Sequence, residues 1–547
     1  YATSSLEDMV LQAWMVEAPP LLQLDRLEGS KEELIPASFG GVGPPQVGDR
    51  QVHILSAACK FPGQANGLPS AWVVFSEMVD GFIEMPKARW DVDVYYDADA
   101  SQFGMGKSST KHAALLDFEE FMSFDNKFFG ISEEQAYMLP PTTRLLMETS
   151  YTCLFHAGYT LQSLKGANMA LSVADIGQEW DPFMGLRPPS EDWNAPAYNP
   201  EVWARSTHMQ SISSACQVAL RLGTTGPVQC VDTACSSSLV TASMIHASLR
   251  KYDSKVDYTE GLSMGHQGVL SPFAFIGLSG AGMLGRCGRC MTFDRSANGY
   301  NRGEGVGGLF LSATDDAEKA SQRLGNYVSS FINQDGRSAS LTAPNGPSQQ
   351  AVIRNSMRLE SIEVEDIVTT ENHGTGTALG DPIEVGSVRS VFRKHPTCIP
   401  LTSGKTHVGH LESTAGSVGL LKTLLSLVYS ASAPNVHLYE INAHIDMAGF
   451  PGLFPTELLD ARMEQAIAGL NGFGFGGTNC RSELWAKSLR GHRAMSERKA
   501  RERRREGQPW ELSGREEALQ AADCIVETCP RCLGTMCWRC GQAFPSE

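Results

Sequence analysis

Hydrophobic and polar positions along this chain follow two periods, and their order predicts a mixed α/β protein. Val52 to Cys59 is a short, largely apolar run and predicts a buried strand. From there strand-like and helix-like segments alternate to about residue 290. Gly226-Pro-Val-Gln-Cys-Val231 is another short apolar run, closed by Asp232-Thr233. Ser236 to Leu249 follows it with Leu239, Met244, Ile245 and Leu249 at helical spacing. Strand, turn and helix are expected there, with Cys235 at the helix's first turn. Leu309-Phe-Leu-Ser312 predicts a further strand. The second half, from about Leu309 to Trp485, carries two histidine motifs on loops that follow short apolar segments. Ahead of this body, Leu6, Met9, Val10 and Trp14 suit an amphipathic helix stopped at Pro19-Pro20, then a loop from Gly40 to Pro45. An N-terminal extension or docking segment and an unstructured lead-in fit that stretch equally.

A cysteine between a strand and a helix is a place for a nucleophile. At a helix N-terminus, unpaired N–H groups and the positive end of the helix dipole favour thiolate, which can lower a thiol pKa from ~8.5 into the range ~3.5–7.5. By residue type alone, a buried cysteine is more often inert packing. The neighbouring strings change that balance.

The stretch Val231-Asp-Thr-Ala-Cys-Ser-Ser-Ser-Leu239 resembles the nucleophile motif of the ketosynthases of modular polyketide synthases and animal-type fatty acid synthases, within the thiolase superfamily. Other stretches agree with it in order: FPG at Phe61 to Gly63, RWD at Arg89 to Asp91, FFGIS at Phe128 to Ser132, and TFDRSANGYNRGEG at Thr292 to Gly305. NQDGRSASLTAPNGPSQ follows at Asn333 to Gln349, then HGTGT at His373 to Thr377, GHLESTAG at Gly409 to Gly416, and GFGFGGTN at Gly472 to Asn479. The likeness covers about residues 50 to 487.

The resemblance implies a thiolase fold of five layers, αβαβα, built from two similar halves. The division expected is an extension over 1–47, an N-terminal half over 48–305, a C-terminal half over 306–487, and a basic linker with a Cys-rich tail over 488–547. The implied activity is β-ketoacyl synthesis, in which an acyl group held on Cys235 condenses with the carbanion left by decarboxylating a carrier-bound malonyl thioester. The same resemblance makes His373 and His410 the donors to the developing enolate, and the backbone N–H groups of Cys235 and Phe475 an oxyanion hole. It puts Lys405 near His410 and pairs it with Glu384, while Thr375 and Thr377 hydrogen-bond phosphopantetheine amides. It further implies a homodimer, an acyl carrier protein with its phosphopantetheine arm acting in trans, and no cofactor for catalysis. DTACSSS and TAPNGPSQ favour the polyketide and animal-type branch over dissociated bacterial fatty acid enzymes.

The chain departs from the family pattern in two places. Leu139-Pro-Pro-Thr-Thr-Arg-Leu-Leu-Met-Glu148 stands where the family has DPQQRLLLE, with a helix expected to start at the prolines. After Asn479 the family continues Ala-His, and here the chain reads Cys480-Arg-Ser-Glu-Leu-Trp485. These departures leave room for an idle ketosynthase-like adaptor of a larger assembly; a thiolase-type or hydrolytic enzyme on the same fold is a third reading. Other motifs carry less. Gly261-Leu-Ser-Met-Gly265 fits a hydrolase elbow, and Gly303 to Gly308 and Gly472 to Gly477 fit G-x-G-x-x-G, but Leu309-Phe-Leu-Ser after Gly308 is a strand rather than the helix a dinucleotide site needs. Asp381 with Glu384 could be an acid–base pair, and His373 with His407 or His410 could bind metal, although no third ligand stands at recognisable spacing.

Composition narrows the setting. Of 547 residues, 42% are hydrophobic and 19% charged, with no apolar run of the ~20 residues that a membrane span takes. A net charge of −16 opposes nucleic acid as partner, although Arg490 to Arg505 is a basic run. The 14 cysteines are too sparse for a disulfide scaffold, and a catalytic thiol wants a reducing compartment, which points to cytoplasm or an organelle stroma. A start at Tyr1 suggests a fragment or processed form. Last, Cys529, Cys532, Cys537 and Cys540 form two C-x-x-C pairs suited to one structural zinc, with a loop between them shorter than in ordinary zinc ribbons; a free cysteine-rich tail and an iron–sulfur cluster are the alternatives.

Overall fold

The apolar run that opens the body becomes strand β1 (Val52–Phe61), nearly every residue of which is buried. In this computed structural model the described residues are 50–547 except 104, 178, 181–211, 251–257, 315, 339–342, 490–525, 529–534, 538–542 and 545–547. The expected helix at the N-terminus therefore lies outside the described residues. The first half continues with α1 (Leu68–Ser76), α2 (Pro141–His156), β2 (Ala170–Ala174), α3 (Ser214–Leu222), β3 (Val228–Val231), α4 (Ser237–Arg250), β4 (Glu260–Gln267) and β5 (Gly305–Ser312). Its strands lie in the order β3-β2-β4-β5-β1, parallel across the first two pairings and antiparallel across the last two.

The second half repeats this plan. Its elements are β6 (Gly325–Gln334), α5 (Gly346–Leu359), β7 (Ile367–Glu371), α6 (Gly380–Phe392), β8 (Ile399–Thr402), α7 (Ala415–Tyr429), β9 (Gln465–Phe473) and β10 (Thr478–Lys487). The strand order β8-β7-β9-β10-β6 has the same sequence of parallel and antiparallel pairings. Five strands in the order third, second, fourth, fifth, first, twice over, is the duplication that the resemblance implies. The expected division at 305/306 needs correcting, because it would detach β5, which pairs with both β4 and β1. Chain connectivity puts the junction between Ser312 and Gly325.

Helices sort into three layers around these strands. The helices α2 and α3 cover one face of the first array, α5 and α6 cover the far face of the second, and α4 and α7 pack against each other between the arrays. β1 and β6 also pair antiparallel along Val52–Ile54, so the two arrays join at their edges. The central pair is built mostly of small and apolar residues, as deep burial favours; all of Ala415 to Val428 is buried, and the one charge in that stretch, Lys422, is paired with Glu371. The two helices nearly touch. A Cβ at Gly416 would lie 2.5 Å from the Leu239 backbone nitrogen, so glycine there is what lets the N-termini of α4 and α7 converge. The departure at Leu139 is absorbed locally: α2 starts at Pro141, where a proline's missing N–H costs nothing.

Among the described residues, those up to Ser488 belong to one compact unit and those from Leu489 onward to a second. In the second, Val526–Thr528, Thr535–Cys537 and Ala543–Phe544 make a three-stranded antiparallel meander. Cys529, Cys532 and Cys540 lie outside the described residues, and Cys537 is described through its backbone alone.

Candidate active site

The duplicated topology places the site. In each half the chain leaves its third strand, turns, and enters a central helix; Cys235 lies on that turn in the first half and His410 in the second. Because the N-termini of α4 and α7 converge, the two turns meet. His373 arrives from the turn after β7, and Phe475 from the glycine turn between β9 and β10. The Cys235 sulfur and a ring nitrogen of His373 and of His410 all lie within 4.8 Å of one another.

Cys235 sits on a 3₁₀ turn, Ala234–Ser236, rather than inside the first turn of α4. The polar residues of DTACSSS build this turn. Ala234 N donates to Asp232 Oδ1 at 2.9 Å, Thr233 N to Ser237 Oγ at 2.8 Å, Ser237 Oγ to Ala234 O at 2.6 Å, and Ser236 Oγ to Thr233 O at 2.9 Å. These bonds hold Ala234 at φ 54°, a left-handed conformation that costs a non-glycine residue roughly 1–2 kcal/mol. The glycine loop then lies directly against the turn, since a Cβ at Gly474 would come within 2.4 Å of the Thr233 carbonyl oxygen. The backbone N–H groups of Phe475 and of Cys235 itself are directed at the sulfur.

The expectation of a thiol lowered toward neutrality does not hold. Burial pushes the Cys235 thiol up to about 11, and the Glu412 carboxylate adds to that; Lys405 and the two N–H groups pull the other way and do not win. Desolvation imposed by two halves closing around the sulfur outweighs the dipole of one helix end.

Both histidines have a defined tautomer. Phe473 N donates to His373 Nδ1 at 3.3 Å, and Glu412 N donates to His410 Nδ1 at 3.0 Å. A ring nitrogen that accepts a hydrogen bond carries no proton, so in each neutral ring the proton is on Nε2. His410 Nε2 is buried without a protein partner. Burial, with Lys405 and then His410 adding to it, holds His373 well below the usual imidazole pKa; burial, Lys405 and Arg302 do the same to His410. The pair therefore offers two N–H donors and no cation.

Lys405 and Glu384 do not form the direct ion pair expected of them; they grip the same turn from two sides. Lys405 Nζ donates to His373 O at 2.6 Å, while Glu384 accepts from His373 N at 2.7 Å and Gly374 N at 2.8 Å. Burial pushes the Lys405 ammonium down and the Glu384 carboxyl up. Asp381 accepts from Phe293 N and Gly376 N at 2.8 and 3.1 Å, so both carboxylates of the acid–base alternative are occupied with backbone donors. Thr375 and Thr377 share a hydroxyl contact of 3.2 Å beside this turn. The Ser of G-x-S-x-G, Ser263, is inside β4 with its hydroxyl against Thr241, so no elbow exists.

The metal reading also fails on chemistry. A histidine bound to metal through Nε2 normally donates its Nδ1–H to an acceptor. Here both Nδ1 atoms face N–H donors, so Cys235, His373 and His410 could hold a cation only by making both rings anionic. Sequence reasoning missed Arg302, which bonds Glu412 twice at 2.8 Å and Glu179 at 2.6 Å directly behind the site, and Tyr300, whose ring lies edge-on to His410. Both belong to TFDRSANGYNRGEG, a string that matches the family without any residue in it being of an obviously reactive type.

A partly buried thiol beside two neutral imidazoles, carried on a duplicated five-stranded frame, is the arrangement of a thiolase-fold condensing enzyme. Comparison with known proteins agrees and is more specific. Residues 49–317 match the β-ketoacyl synthase N-terminal domain and 324–439 the C-terminal domain, and the chain belongs to the β-ketoacyl synthase family. It is 34% identical over 441 residues to one of the phenolphthiocerol/phthiocerol polyketide synthase proteins of Mycobacterium tuberculosis (strain CDC 1551 / Oshkosh), a match covering 78% of this chain and 23% of that protein. Another phenolphthiocerol/phthiocerol polyketide synthase protein of the same strain is 33% identical, covering 78% and 27%. The chain thus spans about a quarter of the length of these curated relatives. Among solved structures, the module 6 ketosynthase of the bacillaene synthase of Bacillus subtilis 168 superposes with TM-score 0.70 at 28% identity, covering 80% of this chain and 72% of that one. An oxazolomycin ketosynthase domain of Streptomyces albus JA3453 gives TM-score 0.72 at 26% identity, covering 80% and 74%. Ketosynthase domains need no catalytic cofactor.

Proposed function

We propose that this chain is the condensing unit of a polyketide-type or fatty acid synthase, joining an acyl group on Cys235 to a malonyl-type thioester delivered by an acyl carrier protein. In the first half-reaction the Cys235 sulfur attacks the incoming thioester, whose oxygen rests on the N–H groups of Cys235 and Phe475. The C–S bond to the carrier arm breaks, and the thiol proton ends on the departing arm. In the second, carbon dioxide leaves the malonyl group and its electron pair makes an enolate, whose oxygen accepts from His373 and His410 Nε2–H. The enolate carbon forms the new C–C bond at the Cys235 thioester, and the sulfur leaves and regains a proton. Thr375 and Thr377 hold the amides of the phosphopantetheine arm.

One observation supports this reading above the others: the Cys235 sulfur and a ring nitrogen of each of two neutral imidazoles converge within 4.8 Å, the set that thioester capture followed by enolate stabilisation requires. The adaptor alternative is not favoured, since nothing in the reactive trio is missing. Intact-mass measurement after exposure to acyl-carrier thioesters tests the assignment. An acyl adduct on Cys235 is expected, and an adduct on another cysteine, or none, removes it.

In the same reading the chain works as a homodimer in a reducing compartment. Among the described residues no helix is long and apolar enough to cross a membrane. We also propose that Cys529, Cys532, Cys537 and Cys540 hold one zinc ion with no part in catalysis. In sequence Cys529 and Cys532 lie between the first and second strands of the meander, Cys537 ends the second strand and Cys540 follows it, and four thiolates would stabilise a segment too short to bury a core. Elemental analysis near one zinc per chain is the expected result; no zinc, with four freely alkylated thiols, returns the segment to a free tail.

A further inference from the structure

Where the family has Ala-His after Asn479, this chain has Cys480-Arg481-Ser482-Glu483, and β10 buries a full ion pair there. Arg481 and Glu483 are both fully buried, with Arg481 Nε donating to Glu483 Oε1 at 2.9 Å. Two positions apart on a strand, their side chains share one face. The neighbouring strand makes the room: a Cβ at Gly469 on β9 would lie 1.6 Å from an Arg481 nitrogen, so only glycine fits opposite the guanidinium. Ser356 of α5 holds the other carboxylate oxygen.

This pair does not end in packing. Arg481 Nη1 donates to Asn471 Oδ1 at 2.9 Å, and Asn471 Nδ2 donates to Glu384 Oε1 at 2.9 Å. Glu384 in turn holds the backbone N–H groups of His373 and Gly374. The direction of the Asn471 amide follows from chemistry, because a guanidinium only donates and a carboxylate only accepts. Without the guanidinium the amide would lose the partner that fixes its orientation, and a flip would set its oxygen against Glu384.

We propose that Arg481 and Glu483 are positioning residues that hold His373 in place through Asn471 and Glu384. They touch neither substrate nor Cys235, so the effect falls on the half-reaction that uses His373. The proposal rests on the condensing activity above.

The test is a double-mutant cycle in the full chain, reading Cys235 self-acylation by intact mass separately from malonyl decarboxylation and condensation. The variants are Asn471→Ala, the charge-neutral Arg481→Met/Glu483→Gln, and their combination. Each of the first two should lower decarboxylation and condensation about 10–100-fold, as loss of an outer partner of a reacting group does, and keep self-acylation within about twofold. The combination should be no worse than the more severe of the two, since both cut one chain. Arg481→Lys keeps the buried charge but cannot fork to both partners, and should show the same split if the double variant does not fold. Losses that multiply, losses equal in both half-reactions, or condensation at the wild-type rate in Arg481→Lys overturn the proposal. A wild-type chain that fails to condense overturns the activity itself, and this role with it.

Discussion

At the scale of single residues, the proposed reaction asks Cys235 to lose a proton and the His373 and His410 rings to keep theirs. The Cys235 thiol, pushed up to about 11, is protonated in the resting enzyme, and a neutral thiol is the unreactive form. Its alkylation by iodoacetamide, followed by peptide mass spectrometry, should therefore rise about tenfold per pH unit from pH 7 to pH 10. A plateau below pH 9 would show that the thiol is not held up by burial. The histidines act later. His373→Ala and His410→Ala should keep self-acylation and lose decarboxylation and condensation by ~10²–10³, the usual effect of removing one donor to a developing oxyanion. Both rings are held far below their ordinary value, so condensation should show no titration step near pH 6.5. Such a step, absent in His373→Ala or His410→Ala, would mean a ring acts as an acid. The ordered strings made Cys235, His373 and His410 legible in the sequence. The tautomers were not, because the N–H groups that set them come from the backbone of Phe473 and Glu412, and backbone direction leaves no mark in side-chain identity.

At the scale of elements, two glycines set how closely the pieces approach. Gly474→Ala would drive a Cβ to 2.4 Å from the Thr233 carbonyl and push Phe475 N–H off the sulfur. Self-acylation should fall ~10²–10³ with the fold intact, and an unchanged rate would take Phe475 out of the oxyanion hole. Gly416→Ala acts on the frame instead, wedging α7 from α4 at Leu239. Overpacking of this kind costs ~1–3 kcal/mol, which equilibrium unfolding would register as a lower denaturant midpoint. The elements themselves were largely readable: β1, the strand–turn–helix around Cys235, β5 after Gly308, and α2 starting at its prolines. The half boundary was not, because assigning β5 to the first half depends on its pairing with β4 and β1 rather than on its own apolar pattern. The link from Arg481 to Glu384 was hidden for a similar reason, as Asn471 and Glu384 stand 87 residues apart.

At the scale of the whole molecule, the sheet ends at β3, beside which no further strand stands among the described residues. Among the described residues β3 pairs with β2 alone, and Gln229 and Cys230 in its middle are exposed. Leu171 N donates to Pro227 O and Asp175 N to Val231 O, so the odd-numbered residues turn their backbone groups toward β2. Val228 and Cys230 consequently present theirs at the free edge. Natural proteins seldom leave such an edge bare, and pairing with a second copy about a two-fold axis satisfies it with an identical strand. If the proposed homodimer forms here, light scattering should give twice the chain mass of 59.3 kDa. Cys230→Pro removes an outward N–H without breaking a β2 hydrogen bond, and should shift the protein toward monomer while the unfolding transition of each chain persists. A dimer that survives Cys230→Pro at the same dissociation constant would place the interface elsewhere on the molecule.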